Sequence, residues 1–146
     1  MTVEAQLDYF FFDKQLLKRS LTTAAYALEQ LQATEDQQAL SLLGSTVLDT
    51  VLTELLIRQG HDSQQAIVTQ KLMLKQIENL ARISQAMGLG YGLKLSRAEK
   101  ERQAYDDPVV LVEGLEAVIG GIYFDGGFPA ARRCIQRLFQ DVFPDG

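Results

Sequence analysis

Cysteine and histidine are nearly absent from this chain: Cys134 is the one thiol and His61 the one imidazole. A lone cysteine excludes an intrachain disulfide, and one residue of each type excludes a zinc site of the usual kind within one chain. Cys134 reads as a small buried side chain. His61, directly after Gly60, reads as a solvated turn residue. A basic half is also lacking. Residues 1 to 73 carry 5 basic and 9 acidic side chains, the remainder 9 and 10, for a net charge of −5. Electrostatics alone therefore does not propose a nucleic-acid partner. No apolar run approaches the length of a membrane span. The N-terminus holds Glu4 and Asp8 and no basic segment, so it does not read as a secretory signal. These absences point to the cytosol and to no membrane partner.

What is present is helical periodicity. In Gln37 to Gly60, the residues Leu40, Leu43, Val47, Leu48, Val51, Leu52 and Leu55 recur at three- and four-residue intervals, the period of a helix with one buried stripe. Leu42, Leu56 and Ile57 are expected to widen that stripe and make the helix central. Gly44 sits where a better helix former would be worth roughly 1 kcal/mol, which points to another backbone coming close. Ser41 and Ser45 lie four apart beside it, on one face. Gly60 is expected to end the helix.

In chain order, the aromatic run Tyr9 to Phe12 is expected to anchor the start of the core. Asp13 is expected to cap a helix to about Leu31, with Leu16, Leu17, Leu21, Ala24, Ala25 and Leu28 inward. Asp62 with Gln65 resembles a capping box. It would open a helix or helix pair to about Met87, with Ile67, Leu74, Ile77, Leu80 and Ala81 in the core. Gly88, Gly90 and Gly92 would end it. Residues 93 to 106 mix Lys94, Arg97, Lys100 and Arg102 with Glu99 and Glu101, the pattern of a solvated face. Asp107-Pro108 opens a further helix that buries Leu111, Leu115, Val118, Ile119 and Ile122. Asp125-Gly126-Gly127 breaks it, and Pro129 starts a last helix to about Phe143. With no strand, repeat or linker, the expectation is one all-α domain over residues 1–146. On residue types alone, the best candidate for chemistry is Glu113 with Glu116, three apart on one helix face and able to reach one cation.

Two stretches resemble a known family. LVEGLEAVIGGIYFDGG, Leu111 to Gly127, is similar to the second conserved segment of the ribonuclease III endonuclease domain. QQALSLLGSTVL, Gln37 to Leu48, is similar to that family's signature segment. Leu16 to Tyr26 and Asn79 to Leu89 resemble its early and middle helices, so the likeness covers about residues 12 to 139. The resemblance implies an all-α fold, symmetric homodimers, and cleavage of double-stranded RNA with divalent metal. The family's four metal-holding carboxylates fall at Ser41, Ser45, Glu113 and Glu116. A further acid used in RNA cleavage falls at Gln38, and the early histidine at Thr23. The family's signature phenylalanine falls at Leu42. A double-stranded RNA-binding domain is not expected, as in the compact stand-alone members.

Only Glu116 keeps the family residue, and Glu113 keeps a carboxylate where the family has Asp. Magnesium prefers charged oxygen ligands in octahedral geometry. Serines in place of two carboxylates remove about two negative charges, which by Coulomb scaling costs metal affinity on the order of several kcal/mol. The expectation is a retained fold without an intact catalytic site, with no cofactor required and at most weak Mg²⁺ or Mn²⁺ binding at Glu113 and Glu116. Its function would be in RNA processing, as a dimer that binds structured or double-stranded RNA, a ribosomal particle or a protein partner. Two alternatives stand beside it. One is an active metal-dependent endonuclease, with Glu113 and Glu116 helped by Ser41, Ser45 and, one turn on, Asp49. The other is a protein-interaction module with no RNA role.

Overall fold

A computed structural model describes residues 1–144. Nine α-helices follow one another among these residues: α1 (Val3–Leu7), α2 (Lys14–Ser20), α3 (Ala24–Glu29), α4 (Gln38–Arg58), α5 (Gln64–Leu74), α6 (Ile77–Ala86), α7 (Leu89–Gly92), α8 (Arg97–Glu101) and α9 (Pro108–Leu138). A 3-10 turn, Ala104–Asp106, precedes α9. The described residues contain no strand, only one bridge between Thr22 and Lys94. The all-α expectation is met.

The molecule is built on α4 against α9, with α6 and α2 laid on α9 and α5 on α4. α4 buries Leu40, Gly44, Val47, Leu48, Val51, Leu52, Leu55 and Leu56. The first part of α9 answers with Leu111, Leu115, Val118, Ile119 and Ile122. Both stripes repeat at helical spacing, so each helix offers a continuous apolar ridge to the other. Gly44 and Gly120 let those ridges meet at backbone level. A Cβ on Gly44 would run into the Glu116 carbonyl, and one on Gly120 into the Leu40 carbonyl. The close approach expected at Gly44 is therefore present, and its partner is the helix that carries the two glutamates. By length and composition α4 is apolar enough to cross a membrane, contrary to the expectation from the sequence. Its eight buried residues face other helices of this domain.

Several boundaries differ from expectation. The helix expected from Asp13 to Leu31 is two helices. The chain breaks at Leu21 to Thr23, where the Leu21 carbonyl accepts from Lys94 N–H at 2.7 Å and Thr23 N–H donates to the Lys94 carbonyl at 3.2 Å. Long-range backbone pairing outcompetes helix continuation there. Leu28 consequently lies 87% exposed. Ser63, not Asp62, caps α5, accepting from Ala66 N–H at 3.1 Å. Leu42 and Ile57 do not widen the α4 stripe; they are 75% and 55% exposed. Ile77 is also exposed, and of the aromatic run only Phe11 is fully buried. Residues 93 to 106 are not a solvated face throughout. Leu93, Leu95, Ala104 and Val110 form a small second core, and Glu99 is buried.

α9 runs through the Asp125-Gly126-Gly127 break as a kink rather than an end. Gly127 has φ +82° and ψ 176°, a conformation that L side chains avoid, and Pro129 follows inside the helix. Asp125 secures the kink to the N-terminus. Its carboxylate accepts from Tyr9 Oη–H at 2.6 Å, Phe12 N–H at 2.8 Å and Asp13 N–H at 2.9 Å. Burial raises the Asp125 carboxyl, but these donors outweigh it and leave it below the ordinary carboxylate range. Asp125→Asn keeps the shape and removes the charge. It is expected to lower stability by about 1–2 kcal/mol, the scale of weakened charge-assisted hydrogen bonds, as read by urea denaturation.

Candidate functional site

The site grows out of the α4–α9 contact. Gly44 brings α4 against the Glu116 carbonyl, with Ser41 three residues before that glycine and Ser45 directly after it. The backbone approach that fills the core therefore also sets Ser45 beside the Glu116 side chain. Ser41, Ser45 and Glu116 are half-buried; Glu113, one turn earlier on α9, is exposed. Burial pushes the Glu116 carboxyl above the ordinary carboxylate range. The Ser45 hydroxyl and the Lys75 ammonium favour its charged form, and the Glu113 charge opposes it.

Gln38 is exposed on the first turn of α4, where its N–H donates to Asp36 Oδ1 at 2.9 Å. Thr23, expected from the resemblance to stand at the family histidine, is buried and serves local structure. It caps α3 by accepting from Tyr26 N–H at 3.1 Å, and its hydroxyl donates to Glu99 Oε1 at 2.6 Å. Glu99 also accepts from Ser96 N–H at 2.8 Å, completing the capping box of α8. The mixed-charge composition of its segment hid this buried carboxylate. Its signal in the sequence was Ser96 followed three residues later by Glu. Asp49, one turn beyond Ser45, is committed elsewhere: it receives Lys71 Nζ at 3.1 Å and Lys75 Nζ at 3.2 Å.

The donor set does not fit a divalent metal of the magnesium type. Ser41 and Ser45 supply neutral hydroxyls, and Glu113 stands out in solvent. Among the described residues no three His, Cys, Asp or Glu side chains come together as a metal-holding group. A hard cation needs several charged oxygens at one point, and this arrangement offers one half-buried carboxylate that is itself pushed toward its neutral form. A groove of about 440 Å³ lies elsewhere, between α2 and residues 32–35, with Lys18 and Arg19 among its lining. It holds none of the four site positions.

Comparisons with known proteins agree with this frame. The ribonuclease-III-like family profile matches residues 13–142. Ribonuclease 3 of Desulfotalea psychrophila is 32% identical over 140 residues, which cover 95% of this chain and 58% of that protein. Ribonuclease 3 of Bordetella pertussis is 32% identical over 142 residues, covering 97% and 53%. The chain thus spans little more than half the length of these relatives. Two solved structures of the ribonuclease III nuclease domain from Campylobacter jejuni superpose closely. One has a TM-score of 0.87 at 30% identity, covering 97% of this chain and 96% of that one, and concerns flexibility in the region involved in dimer formation. The other has a TM-score of 0.85 at 28% identity, covering 99% and 95%. The chain belongs to the ribonuclease-III-like family.

Proposed function

We propose that this domain acts in RNA processing as a non-catalytic, dimeric ribonuclease III-like module that binds structured RNA. One observation carries the reading. At the point where α4 meets α9, the neutral Ser45 hydroxyl meets a half-buried glutamate whose carboxyl is pushed toward the neutral form, and Ser41 one turn earlier on α4 is also uncharged. Two-metal hydrolysis of a phosphodiester needs carboxylates that stay ionised and converge on the ions. A site poor in such groups can persist as packing, because crowded like charges no longer oppose folding. Dimerisation is supported by Leu42, an apolar side chain 75% exposed on α4 at the family's phenylalanine position, and by the dimer-forming region of the Campylobacter nuclease domain. The cytosol remains the compartment proposed.

A second reading, a working endonuclease, is favoured by the name ribonuclease 3 that the relatives carry. One assay separates the two. Long double-stranded RNA is incubated with the natural chain and Mg²⁺ or Mn²⁺, with Glu116→Ala as control. The expected result is no cleavage above control, alongside a dimer by sedimentation and RNA affinity that falls as salt rises. Cleavage abolished by Glu116→Ala would establish the enzyme instead. RNA affinity absent at low salt would point to a protein partner.

A further inference from the structure

Ser41, Ser45, Asp49 and Thr53 are spaced four apart and form one row along α4. The first two belong to the site beside Glu116. The last two are tied to the end of α5. Lys71 Nζ donates to Asp49 Oδ2 at 3.1 Å and to Thr53 Oγ1 at 3.1 Å, and Lys75 Nζ donates to Asp49 Oδ1 at 3.2 Å. Lys71 and Lys75 are also four apart, so one face of the α5 terminus presents both. The order along the row is informative. Lys71 spans Asp49 and Thr53, whereas Lys75 touches only Asp49, and it is the lysine felt at Glu116, one turn of α4 closer to Ser45.

Both lysines are unusually covered, with side chains only 20% and 24% exposed. Lysine is ordinarily a solvent-facing residue, so these ammonium groups are held by the surrounding structure. Asp49 responds accordingly: burial raises its carboxyl, but the hydrogen bonds from Lys71 and Lys75 outweigh this and keep it ionised. The neighbourhood therefore combines two fixed cations with Asp49, Glu116 and the more distant, exposed Glu113.

We propose that Lys75, seated by Asp49, is the permanent cation of this site and bars a divalent ion from Glu116. The proposal rests on the non-catalytic reading above and adds a cause to it: the site has a positive charge beside it as well as few carboxylates. An ammonium is a compact point charge that needs no octahedral shell. It favours the ionised Glu116 across the half-buried gap, and it repels a second cation brought to the same place.

The test is Mn²⁺ binding by isothermal titration calorimetry on the full chain. Ser41→Glu/Ser45→Asp rebuilds acids at the two serine positions. Adding Lys75→Met to that pair is expected to tighten Mn²⁺ binding by roughly tenfold or more, whereas adding Lys75→Arg leaves it weak. Equal affinity with and without Lys75→Met overturns the proposal, and so does weak binding in both. Either outcome leaves the cleavage assay to judge the non-catalytic reading separately. A second measurement uses the otherwise natural chain, in which Lys71 still ties α5 to Asp49. Thermal unfolding is compared for Lys75→Met, Glu116→Gln and the two together. The loss from Lys75→Met is expected to shrink in the Glu116→Gln background, and strictly additive losses overturn the coupling.

Discussion

Gly44→Ala is expected to cost at least about 3 kcal/mol, a large share of the stability of an ordinary domain. The added Cβ would fall on the Glu116 carbonyl, with the Gly120 amide nitrogen 2.9 Å away. Neither obstacle is a flexible side-chain end; both are backbone of α9. Relief requires the two helices to separate along the contact that organises the whole core. The ordinary gain from placing alanine in a helix, about 1 kcal/mol, is overwhelmed by that separation. Urea denaturation of the purified variant reads the loss. The same approach sets Ser45 beside Glu116, so a variant that still folds is expected to have lost the site geometry as well. A midpoint shift corresponding to less than about 1 kcal/mol would show that the helices do not touch as described.

Arg132→Met is expected to have the second largest effect, about 2 kcal/mol at neutral pH, and to change the pH profile. Arg132 reaches from the far part of α9 to Glu54 on α4 with two hydrogen bonds, Nε to Oε1 at 2.8 Å and Nη2 to Oε2 at 3.0 Å. Arg58 adds a third to the same carboxylate at 2.8 Å. The side chains of Arg132 and Glu54 are 23% and 31% exposed, so solvent screens the pair only in part. Hydrogen bonds from Arg132 and then Arg58 bring the Glu54 carboxyl from 4.5 down to about 2. A depressed folded-state value contributes stability above the unfolded value. That contribution is complete above about pH 4.5 and is lost as the pH falls toward about 2. Asp49 and Asp107 are depressed for similar reasons, by Lys71 and Lys75 against burial and by Arg102 respectively, and act in the same direction. Glu116, raised by burial, acts in the opposite sense, because its neutral form is easier to bury. The natural chain is therefore expected to lose stability on acidification from pH 5 toward pH 2, and Arg132→Met to lose visibly less over that interval. Parallel profiles by chemical denaturation would rule out Glu54 as a source of the dependence.

Much of this was legible before any coordinates. The α4 stripe, the break at Gly60, the helix start at Asp107-Pro108 and the two halves of α9 follow from local rules: apolar spacing, capping oxygens, proline geometry. Gly44 announced a close backbone, since nothing local explains a glycine in mid-helix. The site positions followed from the family resemblance, and the structure sets Ser45 beside Glu116 while leaving Glu113 and Gln38 exposed. Other features were not legible. Residues 13 to 31 have continuous helical composition, yet α2 and α3 are separated because Leu21 and Thr23 pair with Lys94, over seventy residues away. Glu99 reads as one charge in a mixed run, but folding places Thr23 against it. Leu42 fits the apolar period of α4 and still lies exposed, outside the set of α4 residues that the packed core buries.

The sequence by itself determined which segments are helices, where most of them begin and end, which family the chain resembles, and that Ser41 and Ser45 carry no charge. These depend on contacts a few residues long and on residue identity. The tertiary structure decided what surrounds Glu116. Its burial, the neighbouring Ser45 hydroxyl and the charge of Lys75, just past the end of α5, all depend on helices far apart in the chain. A charge acts over several ångströms in space without regard to sequence separation, so only the packed helices bring Lys75 within electrostatic reach of Glu116.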